Sequence, residues 1–420
     1  MTSVPTSPLP ADSPHLPRSR AAWVVVVFTG VVAAMHIWKL PTALPIIQEQ
    51  LGISLVDAGI LLGTVQVSGM IGGLLVSLFA EIIGMRRSVL LGLVLLVVGT
   101  LMSIFAPNFV WLLVARFVEG VGFLTATIVA PALIRRVAPL GSISTAIGFW
   151  SSFQGQATFL AVIASTISLQ FIPWQGWYWV MLALTIVPMI LVLRFVPHDP
   201  PEVSGQQETS GVVVPAVKKI GITASSWKPW IAGLVFMCYT VQWSAIIGLL
   251  PTIYLEAGLT GWLPGVLTAV AGGANAIGAV ISGGLFKRGF TVLQLVIPTF
   301  VVMALMAFLT FFVDWKSVAG GFLWQFLCVV LFSAMGSLIP SSLTRLSVEI
   351  VPPGGSSPAV MGLMQQIYSV GSVFGPALVA ALAVATGGWQ STWWMNAFFS
   401  ALGIILVLSL STKRLKLDLR

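Results

Sequence analysis

The chain has 420 residues, 57% of them hydrophobic and 8% charged, where a soluble domain carries about 25% charged residues. So few charges cannot cover a water-facing surface of this size, which excludes an ordinary soluble enzyme or binding domain. The net charge of +8 comes from basic residues scattered through short loops between apolar runs. That pattern argues against nucleic acid and for an anionic membrane surface.

Residues 1–20 are rich in Pro and Ser, carry Arg18 and Arg20, and read as a disordered tail. The apolar run that follows is too long for a signal peptide and contains Lys39, so it reads as a retained first helix. A spanning helix needs about 20 mostly apolar residues. Twelve such runs follow in order, at 22–46, 55–82, 87–106, 109–134, 142–170, 175–196, 228–255, 262–286, 291–313, 319–345, 358–384 and 390–411. The expected fold is therefore an all-α integral membrane protein.

Orientation follows from Lys and Arg. With the N-terminus inside, seventeen basic residues fall on the cytoplasmic side, Lys316 alone falls outside, and Lys39 and Arg116 remain in the membrane. Both termini are expected inside. The longest loop, 197–227, begins "PHDPPEVSGQQETSG" and divides the runs into two sets of six. The expected organisation is a tail at 1–20, a bundle at 21–196, a linker at 197–227, a bundle at 228–411 and a tail at 412–420.

An internal repeat supports the division. "PALIRRVAPLGSISTAIG" from Pro131 is echoed by "PSSLTRLSVEIVPPGGSSPAVMG" from Pro340, each with Arg five residues on (Arg136, Arg345). "QGWYWVM" from Gln175 is echoed by "GGWQSTWWM" from Gly387. The halves are thus expected to be pseudo-symmetric six-helix bundles. Cys238 and Cys328 both lie in apolar runs and read as buried filler.

The loop between runs 2 and 3 reads Ser77-Leu-Phe-Ala-Glu81-Ile-Ile-Gly84-Met-Arg86-Arg87, with a weaker counterpart at Gly284-Leu-Phe-Lys287-Arg288-Gly289. Run 4 carries Arg116-Phe-Val-Glu119-Gly120-Val-Gly122. On these motifs the sequence resembles the major facilitator superfamily over about 21–411. The loop is a degenerate form of the family pattern: Ser77 stands for Gly, Glu81 for Asp and Ile82 for Arg. Run 5 reads Gly148-Phe-Trp-Ser-Ser-Phe-Gln154-Gly-Gln156 and lacks the Gly-Pro motif of proton-coupled drug exporters. "KLPTALPIIQEQLGIS" and "PALIRRVAP…GFWSS" are similar to the cyanate-permease-like group. The resemblance implies a secondary transporter working by alternating access. It also implies that Glu81, Gly84, Arg86 and Arg87 stabilise one conformation, although plain topology charges are the simpler reading of the arginines.

Charge inside a bilayer is costly and marks function. His36 and Lys39 share one face of run 1, and Arg116 and Glu119 share one face of run 4. Glu119 is expected to pair with Arg116 and leave Lys39 without a partner. The local charge is then +1, or +2 with His36 protonated, and an unpaired buried cation calls for an anion. The simpler alternatives are a Lys39 that snorkels to the interface, a structural Arg116–Glu119 pair and a packing histidine. Gln154, Tyr239, Gln242, Trp243 and Gln365 are further candidate solute contacts, each weighed against interhelical hydrogen bonding or packing. Glu119 and His36 are the candidate proton carriers; Glu119 takes a proton only when it separates from Arg116. The glycine pairs Gly59/Gly63, Gly69/Gly73 and Gly371/Gly375 are expected to allow close helix approach; the resemblance implies that runs 2 and 11 meet across the halves, so these glycines let the halves rock, with plain packing as the simpler alternative.

No phosphate-binding loop, metal-spaced His/Cys cluster or nucleophile motif is present in the sequence, so no cofactor is expected and an enzyme is not. The reading is a monomeric multi-pass protein of an inner membrane that moves a small anionic solute, as a symporter. Export of a drug or metabolite is the second choice. A non-transporting sensor on a carrier scaffold is the rival from another class.

Overall fold

The computed structural model describes residues 18–199, 216–315 and 318–410. The expected N-terminal tail up to residue 17, the C-terminal tail from 411, most of the expected linker, and Lys316 lie outside the described residues.

The described residues form eighteen α-helices and no strand. In chain order they are α1 (Arg20–Trp38), α2 (Leu44–Leu51), α3 (Leu55–Thr64), α4 (Val67–Ile83), α5 (Met85–Ile104), α6 (Phe109–Thr127), α7 (Ala130–Val137), α8 (Ile143–Ser151) and α9 (Phe153–Ser168). There follow α10 (Trp174–Phe195), α11 (Ala216–Ser225), α12 (Trp227–Glu256), α13 (Leu263–Lys287), α14 (Val292–Phe312), α15 (Gly321–Gly336), α16 (Leu338–Glu349), α17 (Ser357–Thr386) and α18 (Thr392–Leu410). Eleven stretches are long and apolar enough to cross a membrane. The twelfth expected span is the pair α8–α9, which a break at Ser152 divides into pieces of 9 and 16 residues. The fold is the expected twelve-helix arrangement in two halves, with α1–α10 in the first and α12–α18 in the second.

Local chemistry accounts for several helix limits. Ser19 caps α1 and Asn108 caps α6, each accepting a backbone N–H of the first turn. Ser54 with Asp57 and Thr291 with Gln294 form capping boxes at α3 and α14. Spans 1, 4 and 10 break just ahead of a proline (Pro45, Pro131, Pro340), which cannot donate to the preceding turn. The break in span 5 has another source: Ser151 and Ser152 bond back to the carbonyls of Ile147 and Phe149, a pattern that bends helices. Part of the segment expected to be loop is helical: α11 lies within it and packs on α12 and α17.

The outward faces carry large exposed apolar residues such as Phe105, Val110, Ile277, Val280 and Phe398, the surface that lipid requires. Across the two halves, α3 and α4 lie along α17, and α9 lies along α13. Glycine sets these approaches. A Cβ on Gly59 would stand 2.8 Å from the Ala377 Cα, and one on Gly63 would stand 2.9 Å from the Val373 Cα. Gly155 faces the Ala276 backbone in the same way at the second contact. Gly371 and Gly375 depart from expectation: they face Met237, Thr240 and Val241 of α12 inside their own half.

Gly63→Ala therefore drives a methyl group into the α17 backbone and should cost about 1–3 kcal/mol. It should lower the thermal unfolding midpoint in detergent, while Gly283→Ala, with open space around its Cβ, should not. Equal midpoints for the two variants would refute the backbone-contact account.

Candidate functional site

Span 1 is interrupted where the site lies. α1 stops at Trp38 because Pro41 follows, and Lys39 occupies its C-cap, donating its N–H to the Met35 carbonyl at 2.8 Å. The last carbonyls of a helix have no partner in the helix itself. Here Arg116 Nη1 donates to the His36 carbonyl at 2.6 Å, Arg116 Nη2 to the Ile37 carbonyl at 3.4 Å, and Trp177 Nε1 to the Lys39 carbonyl at 3.1 Å. A cation at a helix C-terminus also matches the sign of the helix dipole.

The structure brings His36, Lys39, Arg116 and Glu119 into one cluster, each with 0% exposure. Glu119 is its centre. Glu119 Oε1 accepts from Lys39 Nζ at 2.5 Å and from Thr100 Oγ1 at 3.0 Å, and Glu119 Oε2 accepts from Arg116 Nη1 at 2.7 Å. The expectation that Lys39 lacks a partner is thus corrected: one carboxylate serves both cations. Lys39 also donates to Thr100 Oγ1 at 3.1 Å and lies over the Tyr178 ring, 4.0 Å from its centroid. It does not snorkel, because the break in span 1 turns its side chain inward.

His36 closes the cluster. Thr185 donates its hydroxyl proton to the Met181 carbonyl at 2.7 Å, so it accepts from His36 Nε2 at 2.8 Å. His36 Nδ1 is then left to accept from Lys39 Nζ at 3.4 Å. This assigns the neutral Nε2–H tautomer from the hydrogen-bond pattern. Two cations, one carboxylate and a neutral imidazole leave the cluster at +1.

A cavity of about 30 Å³ lies between the halves, room for one or two water molecules. Its walls include Trp38, Gln66, Gln154, Trp243 and Tyr368. None of the four clustered residues is part of this wall; Ile37, which holds Arg116, and Trp38, next to Lys39, are. Gln154 accepts from Trp38 Nε1 at 3.3 Å. Trp38 meets Trp243 edge-on, with ring centroids 5.0 Å apart. Trp243 donates to Ser333 Oγ at 2.9 Å, and Asn275 donates to Tyr239 Oη at 3.0 Å.

Other expected site residues lie elsewhere. Tyr239 stacks behind Trp243 rather than lining the cavity. Gln242 turns to α18: its amide donates to the Cys238 carbonyl at 2.7 Å, and its oxygen accepts from Ser400 at 3.0 Å. Gln365 is half-buried on α17, outside the cavity wall.

At the loop between α4 and α5, the Glu81 side chain lies outside the described residues. An acid at the α5 N-terminus among the described residues is Asp199, which follows α10. Its carboxylate accepts from the backbone N–H of Arg86 at 3.0 Å and of Arg87 at 3.4 Å. Gly84 has φ +98°, and a Cβ there would stand 2.7 Å from the Asp199 Cγ, so a side chain is excluded. Arg86 is buried and donates to the Leu193 carbonyl at 2.8 Å, while Arg87 is exposed.

Sequence reasoning missed Thr100, Tyr178, Thr185, Trp177, Trp38 and Asp199. The threonines and aromatics look like ordinary apolar-run residues, and only the "QGWYWVM" repeat marked Trp177 and Tyr178. Asp199 had a usable signal: it is an acid beside the end of a span, on the same side as two arginines.

An all-helical polytopic membrane protein, with two six-helix halves around a central cavity and a buried charge cluster, is the class these observations define. A model of the Major Facilitator Superfamily matches residues 26–354, and the chain belongs to that family. The cyanate transport protein CynX of Escherichia coli is 23% identical over 396 residues, covering 91% of this chain and 95% of that one. Polyol transporter 5 of Arabidopsis thaliana is 26% identical over 45% of this chain, and the match spans only 35% of its own length. The lincomycin resistance protein of Streptomyces lincolnensis is 28% identical over 43% of this chain and 38% of its own.

Removing one member of a buried ion pair costs about 3–5 kcal/mol, because the partner is left uncompensated. Glu119→Gln strands two cations and should unfold the protein at a much lower temperature. Lys39→Met leaves a balanced Arg116–Glu119 pair and should be far milder. Similar midpoints for the two would contradict the shared-carboxylate account. Asp199→Ala removes the acceptor at the α5 N-terminus and should cost about 0.5–2 kcal/mol; an unchanged midpoint would show that the contact contributes nothing.

Proposed function

We propose that the chain is a secondary transporter that moves a small anion across a membrane by alternating access of its two halves. The observation that carries this reading is the uncompensated +1 charge of the cluster beside the cavity. A unit charge about 10 Å from a solute, at an effective dielectric constant near 20, contributes about 1.7 kcal/mol, roughly tenfold or more in binding. The cyanate transport protein, the relative matched over most of both chains, supports a small anion. Glycine-lined contacts between α3–α4 and α17, and between α9 and α13, are surfaces on which two rigid halves rock.

The finer assignments belong to the same proposal. The bundles run 21–196 and 228–411, the protein is a monomer of the inner membrane, and both termini are cytoplasmic, a reading supported by the bias of basic residues among the loops. Glu119 and His36 carry the coupled proton. Both lie in the first half together with Lys39 and Arg116, so rigid rocking leaves the cluster intact. Separation of Lys39 from Glu119 requires movement at the break in span 1. Glu81, Gly84, Arg86 and Arg87 steady one conformation, with Asp199 as the acid that holds the loop.

A second reading is favoured by the cavity wall itself, whose side chains are neutral amides, hydroxyls and indoles. Such a wall suits a neutral polyhydroxy solute, and the partial matches include a polyol transporter. Uptake by proteoliposomes of purified protein separates the two, with formate and cyanate against mannitol. The anion reading predicts uptake of an anion, reduced about tenfold in Lys39→Met. Mannitol uptake without anion uptake would replace it with the second reading.

A further inference from the structure

Trp38 stands where the charge cluster meets the cavity. The carbonyls of the two residues before it hold Arg116, and the residue after it is Lys39. Its indole points the other way, into the cavity wall. There it makes two contacts of different strength. The ring edge against Trp243 is close and well oriented, with centroids 5.0 Å apart and planes at 77°. Trp243 is itself fixed by Ser333 and stacked on Tyr239. The hydrogen bond to Gln154 Oε1 is long, at 3.3 Å, beyond the usual range for an N–H donor.

A buried indole N–H needs an acceptor, and a neutral amide oxygen at that distance is a poor one. An anion would accept a shorter and stronger bond from the same N–H. It would sit on the cavity side of a cluster carrying +1. The cavity both indoles line is about 30 Å³ in volume, which suits a small acceptor.

We propose that the Trp38 indole N–H is a solute-recognition group and that the solute takes the place of the Gln154 carbonyl on it. This rests on the reading of an anionic solute. Gln154 is then a placeholder, which satisfies the donor while the cavity is closed and gives way when solute enters. Because Trp38 is the last residue of α1 and Lys39 its C-cap, just ahead of the break, displacement of the indole is passed directly to the lysine that Glu119 holds.

The test measures KM for formate and cyanate uptake by proteoliposomes containing wild type, Trp38→Phe or Gln154→Leu. Trp38→Phe keeps an aromatic ring against Trp243 and loses the donor; KM should rise about tenfold or more, with the melting temperature of the solute-free protein unchanged. Gln154→Leu removes the competing acceptor at similar volume, and KM should fall several-fold. A wild-type KM in Trp38→Phe, or an unchanged or raised KM in Gln154→Leu, overturns the assignment while leaving the anion reading in place. Wild-type protein that moves mannitol and neither anion overturns the anion reading and, with it, the acceptor chemistry assigned to Trp38.

Discussion

One carboxylate shared by two fully buried cations governs the first half of this protein. Taking a charge out of water costs several kcal/mol even after relaxation, and Lys39, Arg116 and Glu119 are all without exposure. Such a cluster persists only when each charge is paired and hydrogen-bonded, although Arg116 Nε and the Tyr178 hydroxyl have no protein partner. Much of the surrounding sequence serves that requirement. Thr100 supplies a third bond to Glu119, Tyr178 places its ring beneath Lys39, and Thr185 fixes the tautomer of His36. Gly99 has no side chain because a Cβ would stand 2.6 Å from the Glu119 Cγ.

The cluster depends in turn on a backbone defect. Pro41 and Pro45 end α1 and start α2 a few residues later, and the carbonyls freed at the end of α1 are the ones that Arg116 and Trp177 satisfy. Arg116 is thus a helix cap and an ion-pair partner at once. This couples the path of span 1 to the electrostatics of span 4. The second half carries a neutral counterpart in the corresponding helices, where Gln242 of α12 bonds Ser400 of α18. One half is therefore charged at its centre and the other is not, although their architecture repeats.

The fold was readable because its signals are long-range averages: hydropathy over about 20 residues, the alternation of basic loops, and an internal repeat. The four ionisable intramembrane residues were readable for the same reason, since they stand out against apolar runs. Their partners were not. Pairing Glu119 with Lys39 requires knowing that spans 1, 3, 4 and 6 converge, and Thr100, Tyr178 and Thr185 carry no mark of that in their own runs. Gln242 and Tyr239 were drawn to the cavity by composition alone, whereas rotation about the helix axis turns one to α18 and sets the other behind Trp243. Asp199 at the α5 N-terminus was missed because contact across about 110 residues cannot be read from spacing within a loop.

The charge of the cluster is the quantity on which the functional account turns. The most direct measurement is thermal stabilisation of purified protein by formate and cyanate at constant ionic strength, for wild type and for Lys39→Met, in which the cluster is neutral. A ligand that binds the folded state raises the melting temperature by mass action. The account predicts a concentration-dependent rise in wild type that is lost in Lys39→Met. Equal stabilisation of the two proteins, or stabilisation by mannitol and by neither anion, would contradict it.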